Sequence, residues 1–140
     1  MLKNFDGNNK LKKFKIIFII VVIIGVVVAL FWGTRESNVT LTDNTIKISG
    51  MYGISINAEE IKEISLRDEI PKITRRLNGF SLLNIKKGIF KADQMEKIRL
   101  YLHSTNSPYI QITTNEDIII INYGDPEKTQ SVYSEIMNIK

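Results

Sequence analysis

The chain has 140 residues, no cysteine and a formal charge of +4, so neither disulfides nor thiolate metal sites are open to it. Its charge is placed unevenly: Lys3, Lys10, Lys12, Lys13 and Lys15 at the start are opposed only by Asp6, and the remainder is formally neutral. The basic balance therefore reports membrane topology, and no nucleic-acid partner is expected from it.

Residues 1–15 read as a polar, basic tail, disordered up to its last turn. Residues 16–33, IIFIIVVIIGVVVALFWG, carry no charge; as a helix they span roughly 27 Å, the thickness of a bilayer's hydrocarbon core. Hydrocarbon offers backbone groups no partners, so a single transmembrane helix is predicted. A cleaved signal peptide fits less well, because the run is long and no A-x-A pattern closes it. The lysines precede the helix, and the twenty residues after it hold only Arg35 and Lys47. By the positive-inside rule the N-terminus is cytoplasmic and the C-terminal domain extracytoplasmic, at the cell membrane. Gly25, Ala29 and Gly33 recur every four residues, a small-residue face suited to helix–helix packing in a homodimer.

Residues 34–44 form a short polar linker, part of which can already be the first strand, that keeps whatever follows close to the bilayer, and 45–140 form one small domain. Ile46 and Ile48 alternate with polar residues, Gly50-Met51-Tyr52-Gly53 turns the chain, and Ile54 and Ile56 alternate again. Ile64 and Leu66 share a face in the next strand. Ile98, Leu100 and Leu102 alternate with Arg99, Tyr101 and His103, which puts His103 on a solvated surface. Ile110 and Ile112 point inward, Thr114-Asn115-Glu116-Asp117 makes a hairpin turn, and the apolar run 118–123 predicts a buried central strand. Asp125-Pro126-Glu127 then opens a helix. Its inner face is Val132, Tyr133, Ile136 and Met137. The soluble part is thus about seven short antiparallel strands closed by a C-terminal amphipathic helix.

That layout is the one expected of a pleckstrin-homology-like (PH-like) domain. The stretches Tyr52-Gly53-Ile54-Ser55-Ile56, Glu69-Ile70-Pro71-Lys72-Ile73-Thr74-Arg75-Arg76-Leu77-Asn78-Gly79-Phe80, Lys86-Lys87-Gly88-Ile89-Phe90 and Pro108-Tyr109-Ile110-Gln111-Ile112 carry the likeness. Across roughly 40–138 the chain resembles the membrane-anchored PH-like domain proteins of low-GC Gram-positive bacteria. The resemblance implies a bent sandwich or partly open barrel, two sheets packed orthogonally with the last helix plugging the open end. It supplies no phosphoinositide site. The basic K-x(n)-[KR]-x-R pattern is missing from the first hairpin, whose turn holds no cation.

Catalytic motifs are absent: no G-x-S-x-G, no Gly-rich phosphate loop, no H-E-x-x-H, and a single histidine. An enzyme is not expected, nor a metal or cofactor. One segment departs from neutrality. Lys72, Arg75, Arg76, Lys86, Lys87 and Lys91 fall together with no acidic residue among them. They flank the apolar stretch 77–85, in which Gly79 marks a turn and Phe80 a residue that either inserts into a membrane or packs inside. These seven residues are the candidate surface for an anionic lipid, a polyanionic polymer or a protein partner. The chain therefore reads as a single-pass membrane protein displaying a noncatalytic binding module. The competing reading is a small accessory subunit that joins a membrane complex chiefly through its helix.

Overall fold

In the computed structural model of the chain, residues 4–139 are described, and they form two units, 1–33 and 34–140. The first is a single helix, α1 (Asn4–Thr34), long and apolar enough to cross a membrane. It begins well before the apolar run, so residues 4–15 are helical where a disordered tail was expected; Met1 to Lys3 of that tail lie outside the described residues. Leu11, Lys12, Lys13 and Lys15 are good helix formers, and an apolar helix already nucleated propagates into them at little cost.

The second unit holds β1 (Val39–Thr42), β2 (Thr45–Ile48), β3 (Ile54–Asn57), β4 (Ile61–Arg67), β5 (Ile73–Leu82), β6 (Ile85–Ala92), β7 (Met95–Leu102), β8 (Tyr109–Thr114), β9 (Ile118–Ile121) and α2 (Pro126–Met137). One sheet has the order β1-β2-β3, the other β4-β8-β9-β7-β6-β5. Among the described residues there are nine strands where about seven were expected. β1 lies inside the stretch read as linker, where its four residues pair with β2. The stretch between Lys72 and Lys91 supplies a second surplus, as the β5–β6 hairpin. The pairing is not wholly antiparallel either: the β8–β9 hairpin inserts between β4 and β7, which sets β9 parallel to β7.

The middle strands of the larger sheet are covered on both faces, whereas its edge strand β5 is largely exposed. Toward the small sheet and α2, Ile64, Tyr101, Ile110, Ile112, Ile119 and Ile121 pack with Ile46, Ile48, Ile56, Tyr123 and Ile136. On the other face Phe90, Ala92, Ile98, Leu100, Leu102, Tyr109 and Ile120 form a second core, with Ile70, Ile73, Met95 and Ile118 against it. Two-sided burial is why β9 is isoleucine at each of its four positions. It also explains Tyr101, expected on a polar face yet fully buried: its hydroxyl reaches the carbonyl of Tyr52, in the Gly50–Gly53 turn.

α2 starts as its sequence predicts. Asp125 is the N-cap, its carboxylate accepting from Glu127 N at 2.9 Å, with Pro126 in the first turn. The buried face is corrected at two positions. Met137 is exposed, and Thr129 is buried in its place, accepting from Tyr123 N at 3.0 Å and donating to the Asp125 carbonyl. Replacing Asp125 with alanine removes the cap, and urea unfolding of the full chain in detergent should show a loss of about 1 kcal/mol.

Candidate functional site

Everything the sequence marked between Lys72 and Lys91 falls on the β5–β6 hairpin and its entry. β5 is the free edge of the large sheet. Its register is interrupted twice, between Ile73 and Arg75 and between Arg76 and Asn78. Gly79 is not a turn. It lies directly opposite Gly88 in mid-hairpin, where the two backbones meet closely: a Cβ on Gly79 would stand 2.3 Å from the Lys87 carbonyl oxygen, and one on Gly88 2.4 Å from that of Asn78. Gly88 also has φ +113°, a conformation that side chains resist. The turn falls instead at Leu83-Asn84, between the paired ends Leu82 and Ile85. Leu83 has φ +51° and is 88% exposed. Phe80, opposite Lys87, is half-buried.

The hairpin divides the expected cations into three groups. Lys72, Arg75 and Arg76 are exposed and Lys86 is half-buried. Lys91 lies opposite Arg75 and is paired with Glu96 at 2.8 Å. Lys87 is only 1% exposed, which removes it from any docking surface. Its ammonium donates to the carbonyl of Arg35, and burial pulls its pKa down, partly offset by nearby Glu36. The hairpin brings Lys72, Arg75 and Lys91 together at its base, whereas Arg76 stands seven residues from Leu83 in the turn, roughly 24 Å along an extended strand.

Around Lys87 lies a polar cluster that sequence reasoning missed. Glu36 accepts from Gly124 N at 3.1 Å and pairs with Lys128 at 2.5 Å. Burial acts to raise its pKa, but those hydrogen bonds outweigh burial and hold it below the usual carboxylate range. Lys128 also stands 4.5 Å from the centre of the Tyr123 ring. His103 is half-buried rather than solvated, and its Nε2 has no hydrogen-bond partner in the protein. Burial first, then the charge of Lys87, drives its pKa from 6.5 to about 4. Asn122, fully buried, holds the loop that follows: its side-chain oxygen accepts from His103 N at 2.9 Å, and its amide donates to the Ser104 and Asn106 carbonyls. No local pattern announces these roles; Asn122, a polar residue inside the otherwise apolar run 118–123, is the one available hint.

Two cavities among the described residues lack the chemistry of an anion site. One, about 370 Å³, lies at the β2–β3 hairpin with Lys47 as its single cation. The other, about 280 Å³, is lined by Ile54, Ile56, Glu60, Arg99, Glu116 and Asp117 among others. Its Arg99 is already paired with Asp117 at 2.6 Å, and Lys97 reaches the other carboxylate oxygen at 2.8 Å. Burial acts to raise Asp117, but those two donors prevail and keep it ionised. Among the described residues no three His, Cys, Asp or Glu side chains gather to hold a metal.

The cluster makes a pH-dependent prediction. The unfolded chain protonates His103 near 6.5 while the folded chain resists until about 4, so stability is full above 6.5 and declines as pH falls between those values. Unfolding of the full chain should weaken from pH 6.5 to 5, and His103→Gln should flatten that interval. Glu36 and Asp117, both lowered, add their own losses only at more acid pH.

A family model described as a bacterial PH domain matches residues 37–136. No curated protein and no solved structure matches the chain. The two sheets, the C-terminal helix and the N-terminal apolar helix agree with a PH-like fold.

Proposed function

As the chain belongs to the bacterial PH domain family, we propose that it is a single-pass membrane protein whose β unit is a noncatalytic binding module for an anionic ligand. PH domains are generally binding modules without catalytic activity. A PH-like domain behind an apolar helix fits a membrane protein that carries such a module. The observation that carries the ligand class is the β5 edge. Lys72, Arg75, Arg76 and Lys86 have no ion-pair partner among the described residues, and residues 72–92 contain no acid. Arg75 lies opposite Lys91 across the hairpin, and the charge of Lys91 is met by Glu96. Each cation held near an anionic surface contributes on the order of 1 kcal/mol.

In this reading the helix crosses the cell membrane with its N-terminus in the cytoplasm and the β unit outside. The tether keeps the module at the bilayer, which raises its effective concentration toward ligands there. Full-length protein in zwitterionic nanodiscs should be retained by phosphatidylglycerol vesicles or by immobilised polyphosphate at low salt. Changing Lys72, Arg75, Arg76 and Lys86 together to glutamine should weaken retention at least about tenfold and remove its salt dependence. Absence of retention on both matrices ends the reading.

The helix contributes a second proposal: Gly25 and Ala29, both exposed, form a packing face for a homodimer, whereas Gly33, expected with them, is buried within its own chain and does not belong to that face. Gly25 has no neighbour within 4 Å of an added Cβ, so isoleucine is tolerated within the chain itself. Replacing Gly25 and Ala29 with isoleucine should lower self-association in a membrane two-hybrid assay, because bulky side chains hold the backbones apart. An unchanged signal assigns these residues to filling the bilayer.

A further inference from the structure

We infer that the β5–β6 turn is a lipid-inserting wedge, with Leu83 the side chain that enters the hydrocarbon of an anionic bilayer. This rests on the β5 edge being an anion-binding face, and it names which anionic surface is bound. Folding does not ask for leucine here. A two-residue turn with positive φ at its first position favours glycine, whereas Leu83 holds φ +51° with its side chain 88% exposed. It is therefore disfavoured by backbone geometry and by solvent at once. No packing within its own chain compensates.

The surroundings select lipid over the other anions. Leu82 and Ile85, the paired residues beneath the turn, are half-buried, and Leu83 projects beside exposed Asn84 as the one fully exposed apolar side chain of the tip. A protein partner must offer a fitted pocket to one protruding leucine, whereas fluid hydrocarbon accepts it without a matching shape. A polymer of phosphate or carboxylate offers it nothing. Lys86 stands one pair below, opposite Ser81, and its aliphatic stem lets the ammonium reach headgroup phosphates while Leu83 goes deeper. Position agrees as well. Lys87, on the same end of β6, holds the carbonyl of Arg35, and Arg35 directly follows α1 in the chain. The wedge and the residue where the chain leaves the apolar helix thus lie at one end of the β unit.

The chain has no cysteine, so Leu83→Cys accepts a single NBD label in otherwise native full-length protein. In proteoliposomes containing phosphatidylglycerol the label should shift to the blue and be quenched by doxyl groups on the acyl chains. A label at Asn115→Cys, in the β8–β9 turn, should be neither. Quenching should fall when phosphatidylcholine replaces the anionic lipid. The unlabelled Leu83→Asn variant should melt at a higher temperature, since asparagine tolerates positive φ. Its retention by phosphatidylglycerol vesicles should nevertheless drop about tenfold. Stabilisation with undiminished retention overturns the wedge, and so does an unquenched label. A blue shift without doxyl quenching also overturns it, by placing Leu83 in a protein pocket. If retention on polyphosphate or vesicles survives any of these results, the anion-binding edge stands without the wedge; if retention was never present, both fall.

Discussion

Strands buried on both faces have no polar side to offer, and most of this domain's unusual residues follow from that requirement in β7 and β9. β9 can be placed between β8 and β7 only because isoleucine at each position serves one core or the other. Tyr101 sits in the same plane, and its hydroxyl must then find a partner inside; the carbonyl of Tyr52 provides it. Where β9 ends, Asn122 is fully buried and spends its amide on the backbone of the 103–106 loop. The Gly50–Gly53 turn and that loop are thereby tied to the central strands by side chains as well as by chain connectivity.

Lys87 extends the same constraint to the start of the domain. An ammonium taken out of water is costly unless hydrogen-bonded, and its acceptor is the carbonyl of Arg35. The next residue, Glu36, is fixed by Gly124 and Lys128, and Ser49 N bonds to the carbonyl of Asn38. Residues 35–38 are thus bound to β6, to the start of α2 and to β2's end, rather than forming a free linker. His103 is the member of the cluster that gains least, held beside a cation without a partner for its Nε2. The cluster is a device of structure: the residues around it are engaged with one another.

Features set by neighbours in sequence were legible. Asp125-Pro126 opens α2, Gly50 to Gly53 turns, Thr114 to Asp117 closes the β8–β9 hairpin, and the unbroken isoleucines announce a central strand. The β5–β6 hairpin was illegible because its two bulges shift the side-chain parity twice within ten residues. Strict alternation is the signal for a strand, and Thr-Arg-Arg-Leu-Asn-Gly-Phe has none. Gly79 then drew the turn to itself, although its role is close approach to Gly88. Burial of Lys87, Tyr101 and His103 was illegible for a different reason. Each lies on a face that only tertiary packing covers, and period-two alternation cannot tell a strand with one wet face from a strand with none.

The hairpin is the part of the fold where local preferences are most often overruled. Three cations crowd its outer edge, Arg75 opposes Lys91, and the turn is made by a leucine in a glycine's conformation. Edge strands commonly carry charge and bulges that block pairing with another sheet, and that accounts for the interrupted register and for one or two of the cations. It does not account for Leu83, which holds a positive φ with its side chain in solvent and blocks no strand pairing. The edge chemistry and the tip chemistry therefore serve different ends: the first keeps other strands away, and the second favours an apolar environment. In the proposed reading a bilayer with anionic headgroups answers the tip, because it presents phosphate to Lys86 beside the turn, hydrocarbon to the leucine and no strand to pair with.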